Sequence, residues 1–582
     1  MKYEELAEAY EILENSSKRL KKTWIISNLL KKTSDKDLEK VIILLQGKVF
    51  PSHDKREIGV ASKLVLKAIA TATGYSAKQI EDLWKKKGDL GLVTEHLMKS
   101  KKQNTLFNEE LTVKDVFETL QKLSTLEGQG SVDQKVKLIS KLLSIAEPLE
   151  ARYVIRTTLQ DLRVGVAEGT LRDAIAWAYL DEANPNYDDS SDSINPKDRE
   201  KYVEIMLKVQ EALDKSNDFG VVAQASRKGL NELAKIKLVV GNPLKVMLAQ
   251  KVNSVEDAFK TVGKPAALEF KYDGFRMQVH KNENDVVIYT RRLEEVTKQF
   301  PEVKNYILKN VKAERCILDC EAAGYDSKTG SYTPFQHISQ RIKRKYDIEK
   351  IAKDLPIELN VFDILVYNDK ILLNTKFSER RKILEKIIKQ EPKKIVLSKL
   401  LLTDDDKKAK AFFEESIKQG NEGLMFKNLD GIYKPGSRVG FMIKLKSAMD
   451  DLDVVIVGAE WGEGKRSGWF TSFTVACQSE DGFLELGKVG TGLKEKSEEG
   501  ASFEELTNLL KPFIIEEKGR EVRVKPEIVV SLQFEEIQKS PSYSSGYALR
   551  FPRFVGIRED RSSEDIVSKE EVEELFYNQR KK

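Results

Sequence analysis

The hydrophobic period of this chain changes from about 3.6 residues to 2 close to Lys237, and a stretch with one period cannot settle into the structure of the other. Upstream, Leu171, Ala174, Ile175 and Ala178 form the i, i+3, i+4, i+7 stripe of a buried helix face. Similar stripes run through "ASKLVLKAIATATG" and from Val136 to Leu143, and "NPNYDDSSDSINP" reads as a polar loop. After "GNPLKVMLAQ" the pattern alternates: "AALEFKYD", "GFRMQVHK", "DVVIYTRR", "CILDCEAAGY", "ELNVFDILVYN" and "EGLMFKNL" predict strands, with helices such as "ERRKILEKIIKQ" between them. Beyond "KSAMDDLD" the strands are short and punctuated by glycine, as in "DVVIVGAEWG", "WFTSFTVAC", "FLELGKVG" and "EIVVSLQFEEI". At 582 residues the chain exceeds one core, and three to four domains are expected. The periods divide it into an all-α segment over 1–237, an α+β segment over 238–447 and an all-β, small-barrel segment over 448–582 that ends in a helix from about Ser568.

Composition narrows the function classes. Three cysteines, Cys316, Cys320 and Cys477, build neither a disulfide framework nor a four-cysteine zinc site, and four histidines show no metal-ligand spacing. "MKYEELAEAY" is acidic and amphipathic, unlike a signal or transit peptide, and no run of about 18 apolar residues predicts a membrane span. An intracellular soluble protein is expected. The net charge of +5, from 98 basic and 93 acidic residues, permits a nucleic-acid partner through a local basic surface without requiring one.

The chemistry gathers around "EFKYDGFRMQVH". Strand alternation places Glu269 and Lys271 on one face and Phe270 and Tyr272 on the other, and Asp273-Gly274 predicts a hairpin turn leading to Arg276 on the return strand. K-x-D-G arises by chance in about one chain in ten of this length at residue frequencies of roughly five to seven per cent, so its company decides. "FMIKLK" puts Lys444 and Lys446 on one strand face, where paired cations repel unless an anion such as phosphate joins them. "LDCE" pairs Asp319 with Glu321, a carboxylate couple suited to Mg²⁺ or to a ribose hydroxyl. "NEGLMFK" brackets an apolar strand with Glu422 and Lys427, and "VFDIL" offers Phe362 either as core or as a stacking plate for a base. A lysine nucleophile must be partly deprotonated, so Lys444, Lys446 and Arg276 suit Lys271 if the fold brings them together. These residue types fit a lysine–phosphoramidate intermediate.

In this order the segments resemble the motif series of the covalent nucleotidyltransferase superfamily, most closely the archaeal ATP-dependent DNA ligases, and the likeness runs essentially end to end. "EPLEARYVIRTTLQDLRVGVAEGTLRDAIA", chiefly its first two-thirds, resembles that family's helical DNA-binding domain. "GAEWGEGKRSGWF" resembles the start of its OB-fold domain and "IQKSPSYSSGYALRFPRFVGIRED" its last motif. The resemblance implies an all-α DNA-binding domain, an α+β adenylation domain and an all-β OB-fold domain with a C-terminal helix.

By position it implies Lys271 as the adenylylated nucleophile, Glu269 on the adenine amino group and Phe362 stacked on the ring. Arg276, Arg291 and Glu321 would hold ribose, phosphate and nick-side groups, while Arg438, Lys444 and Lys446 would grip the nucleotide phosphates. Glu422, and after it Glu321, would carry Mg²⁺, and Arg550, Arg553, Arg558 and Arg561 would complete the triphosphate site when the barrel closes. Three positions depart from the family pattern: Met442 stands for a tryptophan, Cys320 for the glycine of D-G-E, and Arg561 for a lysine.

The implied activity is ATP-dependent sealing of nicks in double-stranded DNA, in replication, repair and recombination, by a cytoplasmic, nucleoid-associated monomer. Arg163, Gly165 and a helix opening near Thr170 would meet DNA phosphates. In "KKQNTLFN", Gln103, Leu106 and Phe107 resemble a sliding-clamp-binding motif, and an ordinary loop anchored by Phe107 is the alternative. Competing readings are an RNA ligase or capping-type nucleotidyltransferase, disfavoured by the large helical domain, and a silent DNA-binding scaffold, which has no need of Lys271, Glu422, Lys444 and Lys446 together.

Overall fold

The computed structural model describes residues 1–579 except 52–53, 55, 101–109, 334–337, 339–340, 343, 345, 369, 447–450, 480–481 and 496–500. Two compact units emerge. The first comprises Met1–Met247 with His280–Glu295 and Lys434–Ser437; the second comprises Leu248–Val279, Val296–Tyr433 and Arg438–Lys582.

In the first unit the described residues of Met1–Met247 are mainly helical, and the helices are held by amphipathic faces. Helix α1 (Tyr3–Glu14) buries Tyr3, Leu6, Ala7, Tyr10 and Leu13, the stripe its spacing dictates. Helices α2 (Leu90–Met98), α3 (Pro148–Thr158) and α4 (Glu168–Tyr179) extend the same core. Within α4 Leu171, Ala174 and Ile175 are buried as their period predicts, while Ala178 is half-buried. One charge is carried inside: Arg156 of α3 is 3% exposed and is matched by Glu14 at 2.6 Å and Asp89 at 2.9 Å. The expected loop around residue 190 contains a two-stranded antiparallel pair, Asn186–Asp188 with Ser193–Asn195. The Asp188 carboxylate accepts from the backbone of Ser190 at 2.9 Å, so the polar residues that read as loop build the turn. Among the described residues no helix is long and apolar enough to cross a membrane.

His280 gives this unit a titratable core. It is 1% exposed, its Nδ1 accepts the Gly241 N–H at 2.9 Å, and burial pushes its pKa down to about 3. A base whose folded-state pKa lies below its unfolded value of 6.5 contributes stability above pH 6.5 that is lost as pH falls toward 3. Between pH 6.5 and 5 the wild type is expected to lose about 2 kcal/mol through this group. His280→Asn should remove that slope in denaturant titrations at the two pH values.

The second unit begins with a five-stranded sheet formed by β1 (Leu248–Val252), β2 (Ala266–Lys271), β6 (Leu400–Thr403), β7 (Gly423–Asn428) and β8 (Arg438–Lys446), in the order β6-β2-β7-β8-β1. Leu268, Phe270, Leu424, Phe426, Ile443 and Leu445 cover one face and pack with Ala258, Phe259, Ala409 and Phe412 from helices Val255–Val262 and Asp406–Lys418. The alternate residues, including Glu269 and Lys271, therefore take the other face. A second sheet contains β3 (Phe275–Asn282), β4 (Arg315–Tyr325) and β5 (Ile357–Tyr367), with β4 between its two neighbours.

The predicted hairpin is corrected by this arrangement. Strands β2 and β3 belong to different sheets, and Asp273-Gly274 carries the chain from one to the other. A Cβ on Gly274 would lie 2.3 Å from the Ala322 carbonyl oxygen, so glycine is required for the close backbone approach and not for a two-residue turn.

The C-terminal part is β-rich. Strands β9 (Leu452–Trp461), β10 (Phe470–Ser479), β11 (Gly482–Val489), β12 (Ile514–Lys518) and β13 (Glu521–Val524) run in the order β11-β10-β9-β13-β12. β9 also pairs with β14 (Val529–Gln533) over Leu452–Val455, and β14 pairs with β17 (Arg553–Ile557). β15 (Glu536–Lys539) and β16 (Tyr547–Arg550) form a separate antiparallel pair. Terminal helix α6 (Lys569–Asn578) starts at a Ser568–Glu571 capping box, and the Gln579 amide, just beyond its end, makes two hydrogen bonds to the Ile537 backbone, at 2.9 and 2.8 Å.

Candidate active site

Strand register assembles the site. Across β2, β7 and β8, Gly423 lies between Lys271 and Lys446, Met425 between Glu269 and Lys444, and Lys427 between Ala267 and Met442. Opposed residues share a face, so three lysines and Glu269 gather beside Lys271 on the face away from the core. Gly423 adopts φ +147°, and a Cβ there would lie 2.1 Å from the Leu445 carbonyl oxygen. Only glycine fits between the two lysine strands at this point.

Lys271 Nζ is 2.6 Å from Glu422, and Lys446 Nζ is 2.9 Å from the same carboxylate and 2.6 Å from Glu535. Burial raises the Glu422 pKa, but Lys271 and Lys446 outweigh it and hold the group down at about 2, ionised at neutral pH. Burial lowers Lys446, and the attraction of Glu422 and Glu535 outweighs that too, leaving its pKa raised. A carboxylate thus brings two like-charged lysines together.

The two acids of "LDCE" take different tasks. Asp319 is 0% exposed and engages Arg276 through both oxygens, at 2.8 and 2.5 Å, while the Tyr433 hydroxyl donates to it at 2.8 Å. Glu321 has its pKa pushed up to about 7: burial dominates, Lys271 and Arg276 oppose it, and Glu422 and Asp319 add to it. Cys320 points into the core between them, with its thiol pKa raised by burial. Glu321 and Glu422 therefore provide two oxygen donors in the field of Lys271, one of them short of positive charge. That donor set fits a hard divalent cation bound jointly with substrate phosphates.

Phe362 of β5 is half-buried, with the Arg276 guanidinium 5.3 Å and the Lys427 ammonium 4.9 Å from its ring centroid. Glu269 is 1% exposed and lies 2.5 Å from Lys427 and 3.2 Å from Arg381 of α5 (Phe377–Ile387). Met442 is buried, so the position departing from the family's tryptophan serves packing.

Of the other predicted residues, Arg550 stands beside the cluster, in the field of Glu422. Arg438 is exposed at the start of β8, and Arg291 is exposed in the first unit. Arg550 is 3.8 Å from Asp273 and 2.8 Å from Glu536. Arg553 is exposed, and Arg558 and Arg561 are held by Asp453 at 2.8 and 3.2 Å. In the helical unit Arg163 pairs with Asp89 and Asp161, and Arg163 and Gly165 both have positive φ, 60° and 63°. Helix α4 opens at Glu168, two residues before the expected position, so Thr170 is buried in its first turn at 3% exposure. Gln103, Leu106 and Phe107 lie outside the described residues. Sequence reasoning missed Arg381, Tyr433 and Glu535, which reach the site from distant segments without a local motif.

The comparisons with known proteins bear on this constellation. Residues 246–446 match the family described as ATP dependent DNA ligase domain, residues 2–176 DNA ligase N terminus, and residues 466–561 ATP dependent DNA ligase C terminal region. The chain is 47% identical to a DNA ligase of Nanoarchaeum equitans, over 100% of this chain and 99% of the relative. The chain belongs to the ATP-dependent DNA ligase family. A DNA ligase of Thermococcus fumicolans is 41% identical over 99% of this chain and 98% of its own. The solved structure "Pmar-Lig_PreS3" shares the fold, with a TM-score of 0.59 and 18% identity over 95% of this chain and 99% of that one. Members of this ligase family thus match the helical, adenylation and β-rich segments alike.

Proposed function

We propose that this ligase seals nicks in duplex DNA through a lysyl-AMP on Lys271 and then a DNA-adenylate. The observation that carries the reading is the Lys271–Glu422–Lys446 cluster on one sheet face, in a chain of this family. Lys271 Nζ attacks the α-phosphorus of ATP, forming an N–P bond as the bond to pyrophosphate breaks. The adenylyl group passes to the 5′-phosphate of the nick, and the 3′-hydroxyl displaces AMP as the strand closes.

The residues divide the work. Glu269 accepts from the adenine amino group and Phe362 stacks on the ring. Arg276, fixed by Asp319, and Arg291 hold ribose and phosphate, and Arg438, Lys444 and Lys446 neutralise phosphate oxygens. Glu321 and Glu422 would hold Mg²⁺, which when bound withdraws charge from the phosphates. We assign residues 1–237 to DNA binding, with Arg163, Gly165 and Thr170 at its phosphate contacts, residues 238–447 to adenylation, and residues 448–582 to an OB fold with a terminal helix. Arg550, Arg558 and Arg561 complete the triphosphate site, together with the exposed Arg553, once the three leave their present carboxylate partners, which requires the OB fold to reorient. Gln103, Leu106 and Phe107 would bind a sliding clamp, and loss of clamp pull-down in Phe107→Ala is the expected result.

A duplex with one nick bearing a 5′-phosphate tests the function. Sealing that depends on ATP and divalent cation is expected, together with little action on a nick in an RNA duplex. Failure to seal with both present, or equal sealing of RNA, would overturn it.

A further inference from the structure

The sequence marks Lys427 as a base at the far end of the apolar strand from Glu422, and neither phosphate binding nor nucleophilic attack accounts for it. The structure gives it a different neighbour. Lys427 side chain is 6% exposed, and its Nζ lies 2.5 Å from one Glu269 oxygen. The other oxygen lies 3.2 Å from Arg381 Nη1, which also donates to the Ser398 carbonyl at 3.0 Å. Arg381 is fixed in turn by Glu385, at 3.0 Å from its Nε. Lys427 Nζ also stands 3.4 Å from the Phe362 carbonyl oxygen, 4.9 Å from the Phe362 ring and 4.6 Å from the Phe377 ring. One buried ammonium therefore touches both residues assigned to the base, Glu269 and Phe362.

The arrangement has a chemical consequence. A carboxylate whose two oxygens each take a cationic donor, Lys427 on one and Arg381 on the other, presents acceptor oxygens to whatever lies beside it. Each oxygen has a second lone-pair direction beyond the one its cation uses. The Lys427 ammonium faces Glu269, the Phe362 carbonyl and the Phe362 and Phe377 rings, and so leaves the base-facing side of Glu269 as acceptor. An amino group at purine position 6 meets an acceptor there, whereas an oxo group sets acceptor against acceptor in a desolvated site. Sites built around such a hydrogen bond reject the mismatched analogue strongly.

We propose that Lys427 is a positioning residue for base selection, holding Glu269 as an oriented acceptor beside Phe362 so that the pocket takes 6-aminopurine nucleotides and refuses 6-oxopurine ones. The inference rests on the reading that Lys271 receives a nucleotidyl group.

The test is transfer of label from α-labelled ATP and, in parallel, α-labelled GTP to the full chain, for the wild type, Lys427→Met and Lys427→Arg. Lys427→Met is expected to raise KM for ATP at least about tenfold with kcat nearly kept, and to shrink the ATP-to-GTP ratio of kcat/KM by at least about tenfold. Lys427→Arg should restore most of the ratio. Lys427→Gln, which keeps a donor but not the charge, replaces the methionine variant if that one does not fold, and should shrink the ratio in the same direction. An unchanged ratio in a folded variant, or a fall in kcat at constant KM, overturns the role of Lys427 alone. A wild type that accepts label from neither nucleotide overturns the nucleotidyl-transfer reading and this inference with it.

Discussion

Lys271→Arg is expected to lower formation of the covalent adenylate by at least about 10⁴-fold while leaving the fold intact. The arginine keeps the positive charge opposite Glu422, which in the wild type is 2.6 Å from Lys271, so the carboxylate is not stranded. It cannot act as the nucleophile, because a guanidinium stays protonated and has no free lone pair. A duplex whose nick already carries AMP on its 5′-phosphate bypasses the first step, and the variant should seal it. Loss of sealing on that substrate would mean that Lys271 serves the later steps or the fold as well. Retained adenylate formation from ATP would remove Lys271 from the chemistry.

Asp319→Ala should be the most destabilising change at the site. Asp319 is 0% exposed and binds Arg276 through both oxygens, so its removal leaves a guanidinium without its main counter-charge. Breaking a buried pair in this way costs about 3–5 kcal/mol. The freed Arg276 would also lose its fixed direction, so adenylate formation should fall in parallel. Asp319→Asn, which retains a hydrogen-bond acceptor, should cost less stability and still impair the reaction. Urea titration and label transfer on both variants measure the two effects; an Asp319→Ala protein as stable as the wild type would exclude the clamp.

How much of this was legible in the sequence depended on whether the cause was local. Alternation along β2 and β8 placed Glu269 with Lys271 and Lys444 with Lys446, because side-chain period in a strand is a property of the strand itself. The face could be read; its partner strand could not. That Gly423 slots between Lys271 and Lys446 follows from pairing of β2 with β7 across about 150 residues of chain, a register set by tertiary packing. The Asp273-Gly274 turn misled for the same reason: the dipeptide permits a hairpin, and the approach of Ala322 from β4 decides otherwise. "LDCE" promised a carboxylate pair, yet Arg276 and Tyr433 claim Asp319 and leave Glu321 to titrate near 7. Arg381 and Glu535 reach the site from α5 and from between β14 and β15, where nothing in their surroundings announces a role. The motif-level resemblance supplied the reaction, while the ion pairs that sort the residues needed the structure.

The central claim is that Lys271 becomes covalently bound to AMP. Incubating the wild type with ATP and Mg²⁺, digesting it and mapping the modified peptide by mass spectrometry tests that claim most directly. The account predicts one adenylyl group on the peptide containing "EFKYDGFR", assigned to the Lys271 side chain and lost on adding pyrophosphate. Adenylate on Lys427, Lys444 or Lys446 instead, or an unmodified protein that nonetheless seals nicks, would contradict it.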